Sequence, residues 1–315
     1  MTIQAIILED STSISVPGSR LTTFQLRYPR YTHAEVMTHR VFSRNASSSR
    51  AIPTKKLAST EIVLPLRWGK NQPGMQASLE NLSPEDAVKA EAIWRRMAQT
   101  CLEGVQELTD LGLHKQWANR PLEWFTNIDV VLTSSEWNNF FQLRDHKDAF
   151  PEIEALAKEM KRQLSLSSPR QLAPNEWHLP YLTTEERAQY KAESELAEDP
   201  LNKWEAGLKW AKLSTARCAR VSYLKHDNTN PVFEEDMALF KRLVGSIPIH
   251  ASPTEHQAWV EDIHAVSTPG DSFSSKKLDQ YLAELRTSNF DHPWVQHRKY
   301  VECKMEYSNT TISEI

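Results

Sequence analysis

A strand that leads into a basic loop is the feature that most constrains the fold of this chain. Residues 22–31 alternate enough to form a strand, and residues 31–37 can continue it into a helix. The next segment, residues 38–50, holds three arginines, one histidine and four serines but no acidic residue. Guanidinium groups bind phosphate or carboxylate through paired hydrogen bonds, and hydroxyls complete such a site. We therefore predict an anion-binding loop presented by a rigid element, with a solvated surface loop as the alternative that composition alone favours.

Composition limits the class of protein. The chain has 315 residues, 40% hydrophobic and 25% charged, which is ordinary for a globular protein with a sizeable core. A net charge of −4 disfavours a general nucleic-acid or membrane surface. Three scattered cysteines indicate a reducing compartment and no disulfide framework, and because they lack metal-ligand spacing we expect no metal site. No apolar run is long enough to span a bilayer, and the first residues indicate a strand rather than a signal peptide, so we expect a cytoplasmic protein.

Helical periodicity predicts several helices. Ser83, followed by a proline and two acids, is a strong helix start. The apolar side chains of residues 88–108 then predict a core helix that includes Cys101. Further amphipathic helices are predicted at residues 152–164 and 234–244.

Arg144 lies on the aromatic face of another predicted helix. This helix is expected to be capped by Thr133 or Ser134 and to carry Phe140 and Phe141 on the side of Arg144. An arginine in this position either packs the aliphatic part of its side chain and extends the guanidinium group into water, or contacts a ligand. The residues alone leave both interpretations open.

Three further segments are singled out by composition. Residues 165–210 are polar and contain several prolines, which predicts an excursion or lid. Its aromatic side chains are expected to pack under a long loop, with a substrate contact as the alternative. Residues 250–256 carry two histidines and one glutamate beside a proline, but the spacing fits a zinc site poorly. Hydrogen bonding to a ligand or to local backbone is predicted there instead. Residues 296–299 form a short basic patch.

Several of these segments resemble the flavin-dependent, ThyX-type thymidylate synthases. The family signature reads Arg-His-Arg, two residues, Ser, one residue, Asn, two residues, Ser, one residue, Arg. Residues 139–144 (NFFQLR) are similar to the family's Asn-Phe-x-x-Leu-Arg segment, and residues 219–223 (ARVSY) and 250–256 resemble its Ala-Arg-Val-Ser-Tyr and His-x-Ser/Thr-Pro-Phe-Glu-His segments. Within residues 38–50 the first arginine is replaced by Thr38, and the matching positions are His39, Arg40, Ser43, Asn45, Ser48 and Arg50.

The order of these segments differs from the order in the family. Residues 250–256 would precede residues 38–50 there, whereas in this chain they follow both other segments. We therefore predict a circular permutation, which is tolerated where the termini lie close together at the surface. Residues 252–259 and 21–31 should then be neighbours in space, near one site.

The resemblance implies an α/β (α+β) fold with a mixed central sheet flanked by long helices. We expect a single domain over residues 1–315, with an insertion around residues 165–210 and a C-terminal extension around residues 261–315. In the family, reduced FAD supplies a hydride, methylenetetrahydrofolate supplies the carbon, and dUMP is methylated at C5 without a cysteine nucleophile. The resemblance also implies NADPH as the candidate reductant and a homotetramer whose sites are shared between subunits.

Roles for single residues follow from the resemblance. Catalytic roles fall to Arg144, His250 and Ser48. Cofactor-binding roles fall to Thr38, His39, Arg40, Asn139, Ser252 and Glu255. Nucleotide-binding roles fall to Glu35, Ser48, Ser49, Arg50, Arg120 and Arg144. In this assignment Arg144 stabilises the negative charge that develops on the activated pyrimidine, a task that suits a fixed cation.

The chain departs from the family at some of these positions. Thr38 replaces an arginine, Ala51 replaces a tyrosine and Glu35 replaces a glutamine. A carboxylate at Glu35 can accept a hydrogen bond from an exocyclic amine such as that of cytosine. One alternative function is therefore C5 hydroxymethylation of dUMP or dCMP. A second is a non-catalytic nucleotide or nucleic-acid binding module that uses residues 38–50 and 296–299, which the net charge disfavours.

Overall fold

The computed structural model of this chain describes residues 3–221, 232–262 and 275–307. The strands are β1 (Gln4–Ser13), β2 (Arg20–Pro29), β3 (Ser43–Ala46), β4 (Asn127–Ser134), β5 (Arg170–Leu172), β6 (Trp177–His178), β7 (Ala258–Val260) and β8 (Trp294–Gln296). The α-helices are α1 (His33–Val36), α2 (Thr54–Ala58), α3 (Pro84–Asp110), α4 (Lys115–Ala118), α5 (Asn138–Arg144), α6 (Pro151–Leu166), α7 (Thr184–Glu195), α8 (Pro200–Arg220), α9 (Phe233–Val244), α10 (Ser275–Leu285) and α11 (His297–Tyr307). Short 3-10 helices lie at Arg30–Thr32, Arg120–Phe125 and Ser252–Glu255. Within the described ranges, no helix combines the length and apolar character needed to cross a bilayer.

The predicted strand at residues 22–31 becomes β2, at the centre of a five-stranded sheet of order β3-β4-β2-β1-β5. Both β1 and β4 pair with β2 in antiparallel register, and β3 pairs antiparallel with β4. The edge strand β5 lies parallel to β1, so the sheet is mixed. The predicted α/β fold with a mixed central sheet and flanking helices is confirmed.

One face of β2 forms the main core. Phe24, Leu26 and Tyr28 alternate along the strand and pack with Ile153 and Met160 of α6, all of them fully buried. Burial of a side chain of this size stabilises the fold by about 1.5–3 kcal/mol. β2 is therefore a rigid support for the segment that follows it, which includes residues 38–50.

A second, three-stranded sheet of order β6-β7-β8 is antiparallel. Trp177 of this sheet packs in a buried cluster with Trp204 of α8 and Trp259 of β7. The ring of Trp177 lies directly on Gly207, where an added Cβ would be 2.0 Å from Trp177 Cδ1. Only glycine at this position of α8 allows the helix to approach the sheet so closely.

The polar segment at residues 165–210 differs from the long loop or lid that its composition predicts. It forms β5, β6, α7 and the first half of α8. α7 begins with a capping box in which Thr183 Oγ1 accepts from Glu186 N at 3.1 Å. The aromatic side chains of the segment are buried, as predicted, but apart from Tyr181, which lies in a turn, they belong to helices and a strand. Composition averages the exposed and the buried face of each helix and so conceals this order.

The helix predicted from Ser83 is present, but it is not a core helix. Ser83 Oγ accepts from Asp86 N at 3.1 Å, and α3 extends to Asp110. Ile93 and Met97 nevertheless expose 47% and 44% of their surface, and Cys101 is only half-buried. Val105 of α3 packs in a buried cluster with Leu57 of α2 and Leu122 of the 3-10 helix Arg120–Phe125. The contacts of α3 nevertheless cover only part of its apolar side.

The helix that carries Arg144 begins later than predicted. Thr133 and Ser134 belong to the end of β4, and the N-cap of α5 is Trp137, which makes no side-chain cap hydrogen bond. The two hydroxyls bond elsewhere. Thr133 Oγ1 lies 2.8 Å from Thr23 Oγ1, and Ser134 Oγ donates to the Glu136 carbonyl at 2.9 Å. Thr133 and Ser134 therefore continue the pairing of β4 with β2 and do not cap the helix.

Two segments that are distant in the chain meet as predicted. Ala258 and Val260 of β7 share a buried cluster with Leu21 of β2. His256 Nδ1 lies 2.8 Å from Thr133 Oγ1 on β4, the strand next to β2. The proximity of residues 252–259 to residues 21–31 is confirmed, and the circular permutation that suggested it stays a prediction.

Candidate active site

Arg144, at the end of α5, brings four of the predicted site residues together. Its Nη1 donates to Glu35 Oε2 at 2.9 Å, and its Nε donates to His39 Nε2 at 3.0 Å. A longer contact of 3.4 Å joins its Nη2 to Thr38 Oγ1. The Arg144 side chain is 20% exposed and that of Glu35 is 40% exposed, so a ligand can reach both. We call Glu35, Thr38, His39 and Arg144 the arginine cluster.

His39 is a neutral acceptor in this cluster. Its ring is buried, stacks on Phe42 at 5.7 Å and meets the edge of Phe140 at 5.0 Å. Desolvation lowers the pKa of His39, and the positive charges of Arg144 and Arg44 lower it further. Because a guanidinium can only donate, His39 Nε2 must accept, which leaves its hydrogen on Nδ1. The ring therefore orients Arg144.

A cavity of about 360 Å³ contains three of the predicted cofactor-binding residues. We call it the basic cavity. Its walls come from residues 40–44, from the 3-10 helix Ser252–Glu255 and from residues 287–299. The side chains that matter here are Arg40, Arg44, Ser252, Glu255, Arg298 and Lys299.

Side-chain amides hold the C-terminal wall of the basic cavity in place. Gln296 Nε2 lies 3.0 Å from both Ser43 Oγ and the Glu255 carbonyl. Asn289 Nδ2 donates to the Val41 carbonyl at 2.8 Å, and Asn289 Oδ1 accepts from Gln296 Nε2 at 3.1 Å. These contacts fasten residues 287–299 to β3 and to the loop before it.

A second cavity, of about 580 Å³, lies beside Ser48. Its lining includes Ser47, Ser48, Arg220, Arg242 and Leu243. We call it the serine cavity. Arg220 is held by an ion pair with buried Asp236, and Arg242 is exposed. Of the predicted segment at residues 219–223, Ser222 and Tyr223 lie outside the described residues.

The other predicted phosphate ligands are arranged around a carboxylate. Buried Ser49 donates through Oγ to Glu123, and Arg120 Nη1 donates to Glu123 Oε1 at 2.9 Å. Arg50 is exposed and lines neither cavity. Glu123 thus uses the hydrogen-bonding groups of Ser49 and Arg120, whereas Ser48 faces the serine cavity.

Asn139 and His250 stand apart from these groups. Asn139 is exposed on α5, and His250 is exposed in the loop after α9, where its backbone N donates to the Leu243 carbonyl at 3.0 Å. Neither residue lines the basic or the serine cavity. Their predicted roles stay predictions.

Sequence reasoning missed several residues that the fold places at the site. Arg298 and Lys299 were noticed only as a patch suited to nucleic acid, although a basic pair directly after a short strand could have indicated a ligand site. Glu123 carried no sequence signal, because nothing near it suggests that Ser49 and Arg120 would converge on it. Arg220 was singled out only by the family segment that contains it.

Comparisons with known proteins agree with the predicted resemblance. Residues 19–170 match the model of the family described as thymidylate synthase complementing protein. Among solved structures, a UMP/dUMP methylase PolB from Streptomyces cacaoi bound with 5-Br dUMP is 19% identical, with 52% of this chain and 90% of that chain covered and a TM-score of 0.43. The flavin-dependent thymidylate synthase ThyX from Helicobacter pylori, complexed with FAD and dUMP, is 21% identical, with 46% and 67% covered and a TM-score of 0.33.

The sequence search of curated proteins found no match. The family match begins just before β2 and extends to the start of β5, so it includes residues 38–50 and the whole arginine cluster. The predicted resemblance to the ThyX-type thymidylate synthases is therefore confirmed, and residues 19–170 carry the sequence pattern of the thymidylate synthase complementing protein family.

Proposed function

We propose that this chain is a flavin-dependent enzyme that transfers a one-carbon unit from methylenetetrahydrofolate to C5 of a pyrimidine deoxynucleotide. The observation that carries the proposal is the arginine cluster. Glu35, Thr38 and His39 come from one segment of the chain and Arg144 from another, and the Arg144 side chain lies within hydrogen-bonding distance of all three inside the family match.

Arg144 is the residue that stabilises charge in this proposal. Activation of a pyrimidine at C5 places negative charge on the ring and its carbonyl oxygens, and a preorganised guanidinium stabilises that charge. His39 and Glu35 fix the guanidinium before substrate binds, so little reorganisation is needed during the reaction. Proton transfer is not assigned to His39, since its Nε2 is occupied by Arg144.

FAD fits the groups that line the basic cavity. Arg40 supplies a positive charge, and Ser252 and Glu255 supply a hydroxyl and a carboxylate for polar groups of a dinucleotide. Bound in reduced form, FAD would supply a hydride. Thr38 and His39 adjoin Arg40 in the chain and connect this cavity to the arginine cluster. Asn139 is proposed as a further flavin contact by the resemblance alone.

The nucleotide phosphate is assigned to the hydroxyl groups near Ser48. Ser48 faces the serine cavity, whose two arginines suit an anion. Ser49 and Arg120 are bound to Glu123, so they contribute only if ligand binding rearranges that group. The role of Arg50, which is exposed, rests on the resemblance alone. His250 stays a catalytic candidate on the resemblance alone.

A hydroxymethylase that acts on dCMP or dUMP is the second candidate. Glu35 favours it, since a carboxylate accepts hydrogen bonds and matches the exocyclic amine of cytosine better than the carbonyl of uracil. Arg144 holds this carboxylate beside the proposed position of the base. In this variant the transferred carbon is hydrated instead of reduced.

Mass spectrometry of the reaction products tests the function. The purified protein is incubated with FAD, NADPH and methylenetetrahydrofolate, and with either dUMP or dCMP. A methylated nucleotide supports the synthase reaction, whereas a product that carries one oxygen more than the methylated nucleotide, from dUMP or from dCMP, supports the hydroxymethylase. A colourless protein that makes no product and binds oligonucleotide with steep salt dependence would contradict both and support a binding module.

A homo-oligomer, tetrameric by resemblance, is part of the proposal. Ile93 and Met97, one turn apart on α3, present an exposed apolar surface that a second copy can cover. Light scattering on the purified protein gives the mass of the particle in solution. An Ile93→Glu variant is expected to lower that mass, and a monomeric wild-type protein would contradict the assembly.

A further inference from the structure

The basic cavity is lined by residues from inside and from outside the family match. Arg40 and Arg44 lie within the family match at residues 19–170, and Ser252 and Glu255 belong to a segment that resembles the family. Residues 287–299 lie outside both. The last wall of the cavity is therefore supplied by the C-terminal part of this chain, to which the resemblance assigns no role.

Positive charge dominates this cavity. Four cations line it, Arg40, Arg44, Arg298 and Lys299, against the single carboxylate of Glu255. Glu302 pairs with both Arg298 and Lys299, and counting it leaves four cations against two carboxylates, an excess of two positive charges. A concave site with such an excess concentrates anions.

The cations differ in how firmly they are held. Arg298 is fixed by Glu255 and by Glu302, while Arg44 Nη1 donates to the His39 carbonyl at 3.0 Å. Within the described part of the chain, Arg40 makes no hydrogen bond or ion pair. Lys299 lies 3.2 Å from Glu302 Oε2 and keeps 25% of its side chain exposed. Fixed guanidiniums together with two less constrained cations suit a ligand with two adjacent negative groups.

Hydrogen bonds to Ser43 hold residues 287–299 in place as one wall of the basic cavity. Gln296 and Asn289 both reach Ser43, which begins β3 and belongs to the family signature. Arg298 and Lys299 follow Gln296 after His297, at the start of α11, so their backbone is positioned by the same contacts. The C-terminal segment therefore holds its cations in the cavity that Arg40 also lines.

We propose that the C-terminal segment at residues 287–299 completes the flavin site, with Arg298 and Lys299 binding the diphosphate of the dinucleotide opposite Arg40. This inference rests on the proposed flavin dependence. It makes the site selective for FAD over flavins that lack a diphosphate, and it gives the C-terminal extension a role in cofactor binding.

Titration of the flavin-free protein with FAD, FMN and riboflavin tests the proposal. Binding is followed by quenching of flavin fluorescence in the wild type, in Lys299→Gln and in the control Lys191→Gln, which removes an exposed lysine from α7. We expect Lys299→Gln to weaken FAD binding about tenfold and to leave riboflavin binding unchanged. Lys299→Arg should restore FAD binding, and inorganic pyrophosphate should compete with FAD in the wild type.

The outcomes separate this proposal from the proposed function. If the wild type binds FAD and Lys299→Gln binds it equally well, the C-terminal wall does not hold the diphosphate, although flavin dependence stands. Equal weakening of FAD and riboflavin, or no competition by pyrophosphate, would also overturn the assignment. A wild type that binds none of the three flavins would overturn the proposed function together with this inference.

Discussion

Arg144 and Glu35 form an ion pair of 2.9 Å between Nη1 and Oε2, and both side chains remain partly exposed. Arg144 is the cation proposed to meet the pyrimidine, and Glu35 stands where the resembling family has a glutamine. The ion pair therefore connects Arg144, which is proposed to stabilise charge on the pyrimidine, with Glu35, which is proposed to distinguish cytosine from uracil.

Replacement of Glu35 tests the choice of base. Glu35→Gln should lower activity on dCMP at least tenfold and retain or raise activity on dUMP, because an amide offers both a donor and an acceptor. Rates are compared by chromatography of products, with Glu91→Gln on the exposed side of α3 as the control. Unchanged relative activity on the two nucleotides would show that Glu35 does not read the base.

Replacement of Arg144 tests the electrostatic role. Arg144→Lys keeps the charge but cannot donate to Glu35 and His39 from a planar fork, so we expect kcat to fall about 10²-fold to 10³-fold. The free energy of unfolding should change by less than about 1 kcal/mol, as for other partly exposed ion pairs. Arg162→Lys on α6 is the matched control. Activity close to wild type would rule out this role for Arg144.

Buried histidines predict how stability depends on pH. Burial lowers the pKa of His256 and of His297 to about 3, whereas the pKa of a histidine in the unfolded chain is about 6.5. The unfolded chain binds more protons between these values, so the free energy of unfolding falls as the pH drops from about 6.5 towards 3. The contribution of each histidine to the free energy of unfolding should be about 2 kcal/mol smaller at pH 5 than at pH 7.

Urea unfolding at pH 7 and pH 5 measures this effect. His256→Gln removes one titrating group and should reduce the difference between the two pH values by about 2 kcal/mol. His146→Gln, at a half-exposed position, should leave the difference unchanged. An equal pH dependence in His256→Gln and the wild type would contradict the expected neutral state of His256.

Two glycines should respond to alanine in opposite directions. Gly207→Ala forces a methyl group against the Trp177 ring, where the added Cβ would lie at 2.0 Å, and should lower the free energy of unfolding by about 3 kcal/mol. Gly104, in the middle of α3, has open space around it, so Gly104→Ala should raise this free energy by about 0.5–1 kcal/mol. Urea titrations monitored by circular dichroism measure both changes. A neutral Gly207→Ala would show that α8 can move away from the second sheet.

Local pattern determined much of the fold. The alternation of residues 22–31 predicted β2, Ser83 with its proline predicted the start of α3, and residues 38–50 predicted the family. Sequence pattern gave wrong predictions for helices that have one exposed and one buried face. The polar composition of residues 165–210 hid α7 and α8, and the apolar spacing of α3 overstated its burial.

The amino-acid sequence by itself determined which side chains are available for the site, because hydroxyls, guanidiniums and a family signature can be recognised without coordinates. Only the tertiary structure decided which of them meet. Arg144 reaches Glu35 across 109 positions of the chain, and Gln296 reaches Ser43 across 253. Ser49 and Arg120 instead converge on Glu123. Such contacts depend on strand order and helix packing, which no local pattern encodes.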